Sequence, residues 1–120
     1  MKIAIKTFFL LIPILIGSSM YSCKHTPVIP TTPAISFSTQ IMPIIVGNCT
    51  QSECHSPNGR HTKLGTYNEI MSRVVAYDAS ASRLYTDIQS YKMPKSPYPQ
   101  MSDQQTAIIY LWIMQGALNN

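Results

Sequence analysis

The chain has 120 residues, with nine prolines, three cysteines and a formal net charge of +4. That length holds one domain rather than two. Removing Lys2 and Lys6, which sit in an apolar leader, from the formal +4 leaves +2, with no Lys/Arg cluster, and this is too little for the basic footprint of a nucleic-acid binder.

Residues 1–22 read as an export signal. Lys2 and Lys6 form a positive start, Phe8 to Ile16 is apolar, and Gly17, Ser18, Ser19 and Ser22 are the small residues a peptidase reads. The apolar run falls well short of the ~20 residues needed to span a bilayer. Met20-Tyr21-Ser22-Cys23 resembles the bacterial lipobox. That resemblance implies a lipid on Cys23, holding an exported protein to a membrane in the periplasm or at the outer membrane. The alternative is an ordinary secretory signal, with Cys23 unmodified or removed. Residues 23–37 form a Pro/Thr-rich tether. Pro27, Pro30 and Pro33 recur every third position and favour extended polyproline-like chain, ~3.1 Å per residue.

Residues 38–120 are expected to form an all-α domain of about four helices. The first spans Ser38 to Val46, with Pro43 in its first turn, where proline is tolerated. The second spans Thr66 to Ala76, with Tyr67, Ile70, Met71, Val74 and Val75 at helical spacing. The third spans Ser82 to Gln89 and carries Leu84, Tyr85 and Ile88. The fourth spans Ser102 to Gln115; Ser102 and Gln105 make a capping box and Gly116 supplies the stop. Ala107 to Met114 is apolar almost all round, so this helix is buried on most faces. A core this small leaves room for a large flat apolar cofactor between such faces.

The chemistry sits in Cys49-Thr50-Gln51-Ser52-Glu53-Cys54-His55, a C-x4-C-H motif. Two thiols can add across the two vinyl groups of haem, and a histidine directly after the second cysteine is then held over the iron. The common spacing is C-x2-C-H, and the two extra residues here can loop out without moving Cys54 relative to His55. Met93, in the proline-stiffened stretch Lys92-Met93-Pro94-Lys95-Ser96-Pro97, is the candidate second axial ligand. Met101 and His61 are the competitors for that role.

Taken in order, these residues resemble a class I c-type cytochrome domain of the single-haem kind found in exported bacterial lipoproteins. The resemblance rests on the haem motif, Leu64-Gly65-Thr66-Tyr67, Ser82-Arg83-Leu84-Tyr85, Met93-Pro94, Met101 to Gln105, and Trp112-Ile113 with Gly116-Ala117. It implies a small helical bundle around one covalent haem c, with thioether bonds at Cys49 and Cys54. It implies axial ligation by His55 and Met93, first and last helices crossing beside the haem, and electron exchange with redox protein partners rather than catalysis. It also implies that the Pro57 carbonyl accepts the other N–H of His55.

Rival readings remain at this point. Cys49, Cys54, His55 and His61 hold sulfur and nitrogen donors that suit zinc, and a plain Cys49–Cys54 disulfide suits an oxidising compartment. A haem peroxidase needs an open distal position with an acid/base group beside it. Arg60, Lys63, Lys92 and Lys95 are candidate haem-edge cations for a redox partner, although such charges are more often a solvated rim.

Overall fold

The computed structural model describes residues 28–51 and 54–120. The leader, Cys23, the start of the tether, Ser52 and Glu53 lie outside the described residues. Helices dominate: a π-helical turn Phe37–Ile41 leads into α1 (Met42–Cys49), followed by α2 (Tyr67–Met71), α3 (Arg83–Gln89) and α4 (Asp103–Met114). Among the described residues there is no strand, only an isolated bridge between Val75 and Asp78, and no helix long and apolar enough to cross a membrane.

The first helical stretch begins one residue earlier and runs three residues further than its expected end at Val46. Pro43 explains its two-part character. Proline brings no N–H, so the Thr39 carbonyl loses its α-helical donor. The turn before it widens instead: the Ile41 N–H reaches Ser36 O at 3.2 Å and the Met42 N–H reaches Phe37 O. Pro43 itself falls in the first turn of α1.

α2 ends at Met71, five residues before its expected end at Ala76. Its start is firmly set by a capping box in which Thr66 and Glu69 satisfy each other's backbone N–H groups. Its end is set by tertiary bonding. The buried Ser82 hydroxyl accepts from the Val75 N–H at 2.9 Å and lies 2.7 Å from the Asp78 carbonyl. The β-branched Val74 and Val75 have little intrinsic helix preference to resist this pull, and the chain from 72 to 82 turns around that hydroxyl.

α4 is the spine of the core. Ser102 and Gln105 form its capping box. At the other end the Gly116 N–H bonds Ile113 O at 3.0 Å and the Ala117 N–H bonds Trp112 O at 2.8 Å, the paired bonds of a Schellman stop. Ile109, Trp112 and Ile113 are fully buried and meet Ile41, Ile45 and Ile70. Trp112 satisfies its indole N–H on Leu118 O at 2.9 Å, so burial of its large apolar surface leaves no orphaned donor. Phe37 packs edge-on against Tyr67, with ring centroids 5.0 Å apart.

The chain before α1 is fastened to the far end of α4. The Gln115 side chain accepts from the Ile35 N–H at 2.8 Å and donates to Pro30 O at 2.7 Å. Asn120 accepts from the Phe37 N–H at 2.8 Å and the Ser38 N–H at 2.9 Å. From Pro30 onward, the tether residues therefore lie against the domain.

Candidate functional site

The C-terminal end of α1, the loop after it, α3 and the loop after α3 enclose a cavity of about 380 Å³, within the usual range for cofactor sites. Cys49, Cys54, His55 and Met93 all line it, as do Leu64, Leu84 and Ile88. The structure thus brings the C-x4-C-H motif and Met93 to one cavity from two separate stretches of chain. Cys23, the candidate lipid site, lies outside the described residues.

Cys49 is the last residue of α1, and the backbone beyond it folds back on the helix end. The His55 N–H donates to Cys49 O at 3.2 Å and the Cys54 N–H to Gln51 O at 3.1 Å. These bonds keep His55 next to the helix end despite the longer spacing between the cysteines. Cys49 and Cys54 are not joined in a disulfide. Burial, with a smaller contribution from nearby Cys54, pushes the Cys49 thiol up to about 11 from its ordinary 9.0. It is a protonated thiol at neutral pH.

His55 is oriented by a backbone carbonyl, and the carbonyl is that of Thr62 rather than that of Pro57. The chain reverses at Pro57-Asn58, where the Gly59 N–H bonds Ser56 O at 2.9 Å, and returns alongside itself: His61 N–H to Cys54 O at 3.3 Å, Leu64 N–H to His55 O at 3.0 Å. That return places the Thr62 oxygen 2.6 Å from His55 Nδ1. Pro57 is left at the exposed turn. A carbonyl only accepts, so Nδ1 carries the hydrogen and Nε2 keeps its lone pair for a metal.

Met93 is presented by the end of α3. The Asp87 carbonyl accepts both the Lys92 and the Met93 N–H, each at 3.0 Å, and the next residue, Pro94, is held through its carbonyl by the Gln100 side chain at 2.6 Å. Met101 does not line this cavity. It is a buried core residue beside a smaller one of about 100 Å³. His61 does line the main cavity, with its ring centroid 5.7 Å from that of His55. Among the described residues no three His, Cys, Asp or Glu side chains are grouped to hold a metal ion by themselves.

The cations at the cavity differ from those expected. Of Arg60, Lys63, Lys92 and Lys95, only Lys95 lines it, and Arg73 and Arg83 join it there. Arg83 pairs with Asp87 at 3.5 Å, but its side chain is 70% exposed, so the pair adds little stability. Tyr98 and Thr62 also line the cavity. None of these carried a signal in sequence, because each acts from outside the motif and Thr62 acts through its backbone.

Comparison of the chain with protein-family models, with curated proteins and with solved structures finds no match in any of the three.

Proposed function

We propose that this protein is a lipid-anchored c-type cytochrome, a carrier of single electrons with one covalently bound haem. The observation that carries the reading is the convergence of Cys49, Cys54, His55 and Met93 on one largely apolar cavity. Their donor chemistry fits the group. Cys49 and Cys54 would hold it as thioethers, and His55 Nε2 and the Met93 sulfur would ligate its iron. Leu64, Leu84 and Ile88 supply apolar wall, and Arg73, Arg83 and Lys95 supply positive charge suited to carboxylate substituents.

When bound, the group supplies a reversible one-electron change at iron. The chain's own part is to hold both ligands in place, so that neither has to be recruited on electron transfer. Thr62 fixes the His55 ring and Asp87 fixes the Met93 backbone. With His55 and Met93 both as ligands, the protein would suit a carrier and would leave no ligand site for peroxidase chemistry. A four-ligand zinc site is less favoured, since the Cys and His side chains at the cavity do not gather into a metal-holding group.

The test is a pyridine haemochrome spectrum on protein made with a c-type maturation system and extracted with acid-acetone. Haem that stays with the chain and gives a c-type spectrum supports the reading. A well-folded chain without haem ends it. Exposure of the loaded protein to carbon monoxide separates the two haem classes, because a carrier's iron resists the ligand and an enzyme's binds it.

A further inference from the structure

We propose that Arg73 is a positioning residue for His55, acting through Thr62. The proposal rests on the haem reading above and adds to it a residue that sets how firmly the axial imidazole is held.

Thr62 makes contacts on two sides. Its backbone oxygen accepts from His55 Nδ1 at 2.6 Å, and its hydroxyl accepts from the Arg73 guanidinium. Thr62 is exposed and lies in irregular chain, so no helix or sheet ladder fixes its peptide plane. Backbone bonds hold the chain at His61 and Leu64, on either side of Thr62, whereas Arg73 is held through its own backbone. Its N–H bonds Ile70 O at 2.9 Å, and its carbonyl accepts the Leu84 N–H at 3.0 Å. Its backbone is thereby held between the end of α2 and the start of α3. The guanidinium is a strut from that wall to the loop carrying the carbonyl on which the His55 ring depends.

Arg73 also brings a charge that no acidic side chain among the described residues pairs with. Among the described residues the one ion pair is Arg83 with Asp87, and Arg73 meets a neutral hydroxyl. Arg73 lines the same cavity as His55. A positive charge there favours the more negative, reduced state of a bound redox centre. Arg73 therefore has two separable effects. The donor steadies the Thr62 carbonyl and hence the Nδ1 hydrogen bond, and the charge raises the reduction potential.

Two readouts on the haem-loaded full chain separate them: the solvent exchange of the His55 ring Nδ1–H by NMR, and the reduction potential. Arg73→Ala is expected to speed that exchange roughly tenfold, the scale of one lost hydrogen bond, and to lower the potential. Arg73→Gln, which keeps a donor without charge, is expected to restore slow exchange while the potential stays low. Thr62→Val removes the hydroxyl but keeps both the carbonyl and the arginine, at an exposed position that tolerates the change. It is expected to speed the exchange as Arg73→Ala does. Unchanged exchange in Arg73→Ala or in Thr62→Val overturns the proposal even if the potential moves, because a through-space charge needs no contact with Thr62. A wild-type chain that takes up no haem overturns the underlying reading, and this proposal with it.

Discussion

His55 Nδ1 lies 2.6 Å from the backbone oxygen of Thr62, and this contact selects the tautomer of the ring. The same hydrogen bond that leaves Nε2 able to ligate also stops the ring from turning. Thr62 is seven residues from His55, brought back by the reversal at Pro57-Asn58 and locked by the Leu64 N–H on His55 O. The longer C-x4-C spacing leaves this arrangement untouched, because it lies wholly on the far side of Cys54.

The two candidate methionines separate by phenotype. Met93 lines the main cavity and Met101 does not. Met93→Ala in the haem-loaded protein is expected to lose the low-spin His/Met optical spectrum and to bind carbon monoxide. Met101→Ala is expected to keep that spectrum. Met101 is only 8% exposed, so its truncation instead lowers stability in urea unfolding by about 2–5 kcal/mol.

Cys49 should be slow to react while its thiol is unmodified. With the thiol pushed up to about 11 by burial first and Cys54 second, the thiolate that attacks an alkylating reagent is scarce at neutral pH. Alkylation of Cys49 by iodoacetamide, followed by peptide mass spectrometry in chain made without haem maturation, should rise about tenfold per pH unit and level off near 11. The same shift makes stability pH-dependent. Below 9.0 the thiol is protonated whether folded or unfolded; between 9.0 and about 11 only the unfolded chain releases the proton. Stability should therefore fall across that window as pH rises, by about 3 kcal/mol in all.

Gln115 fastens the tether to the domain through bonds to Ile35, Pro30 and Pro33. Gln115→Ala removes all of them, and the expected loss of stability is about 1–3 kcal/mol. Limited proteolysis should then cut between Pro30 and Ser38 faster than in the wild type, while the haem spectrum stays the same because Gln115 does not line the cavity.

Gly116 has φ +101°, and a Cβ built there would come 2.6 Å from Tyr77 Oη. Tyr77 is 67% exposed, and the end of its side chain can swing away. The backbone conformation cannot be relieved in that way. Gly116→Ala is expected to cost about 1–3 kcal/mol in denaturant unfolding. Adding Tyr77→Ala should recover little of that loss, which locates the cost in the backbone.

Legibility from sequence followed the range of the interactions involved. The start and stop of α4 were readable because Ser102, Gln105 and Gly116 act locally. The motif residues and Met93 were readable because their chemistry is distinctive, and they line one cavity. The end of α2 was not readable, because Ser82 pulls Val75 out of the helix from seven residues away. The widened turn before α1 follows from a single absent N–H at Pro43, whose consequence lies upstream of the proline. Thr62 was out of reach because any residue has a carbonyl, and Arg73 because only the fold brings the chain after α2 to the loop after Cys54.

The most direct test of the central claim is the mass of the peptide spanning Cys49 to His55, released from protein matured with the c-type system and washed with acid-acetone. The account predicts one haem added to that peptide, with neither cysteine open to alkylation. An unmodified peptide with two reactive thiols, or one lighter by two hydrogens because Cys49 and Cys54 have paired, would contradict it.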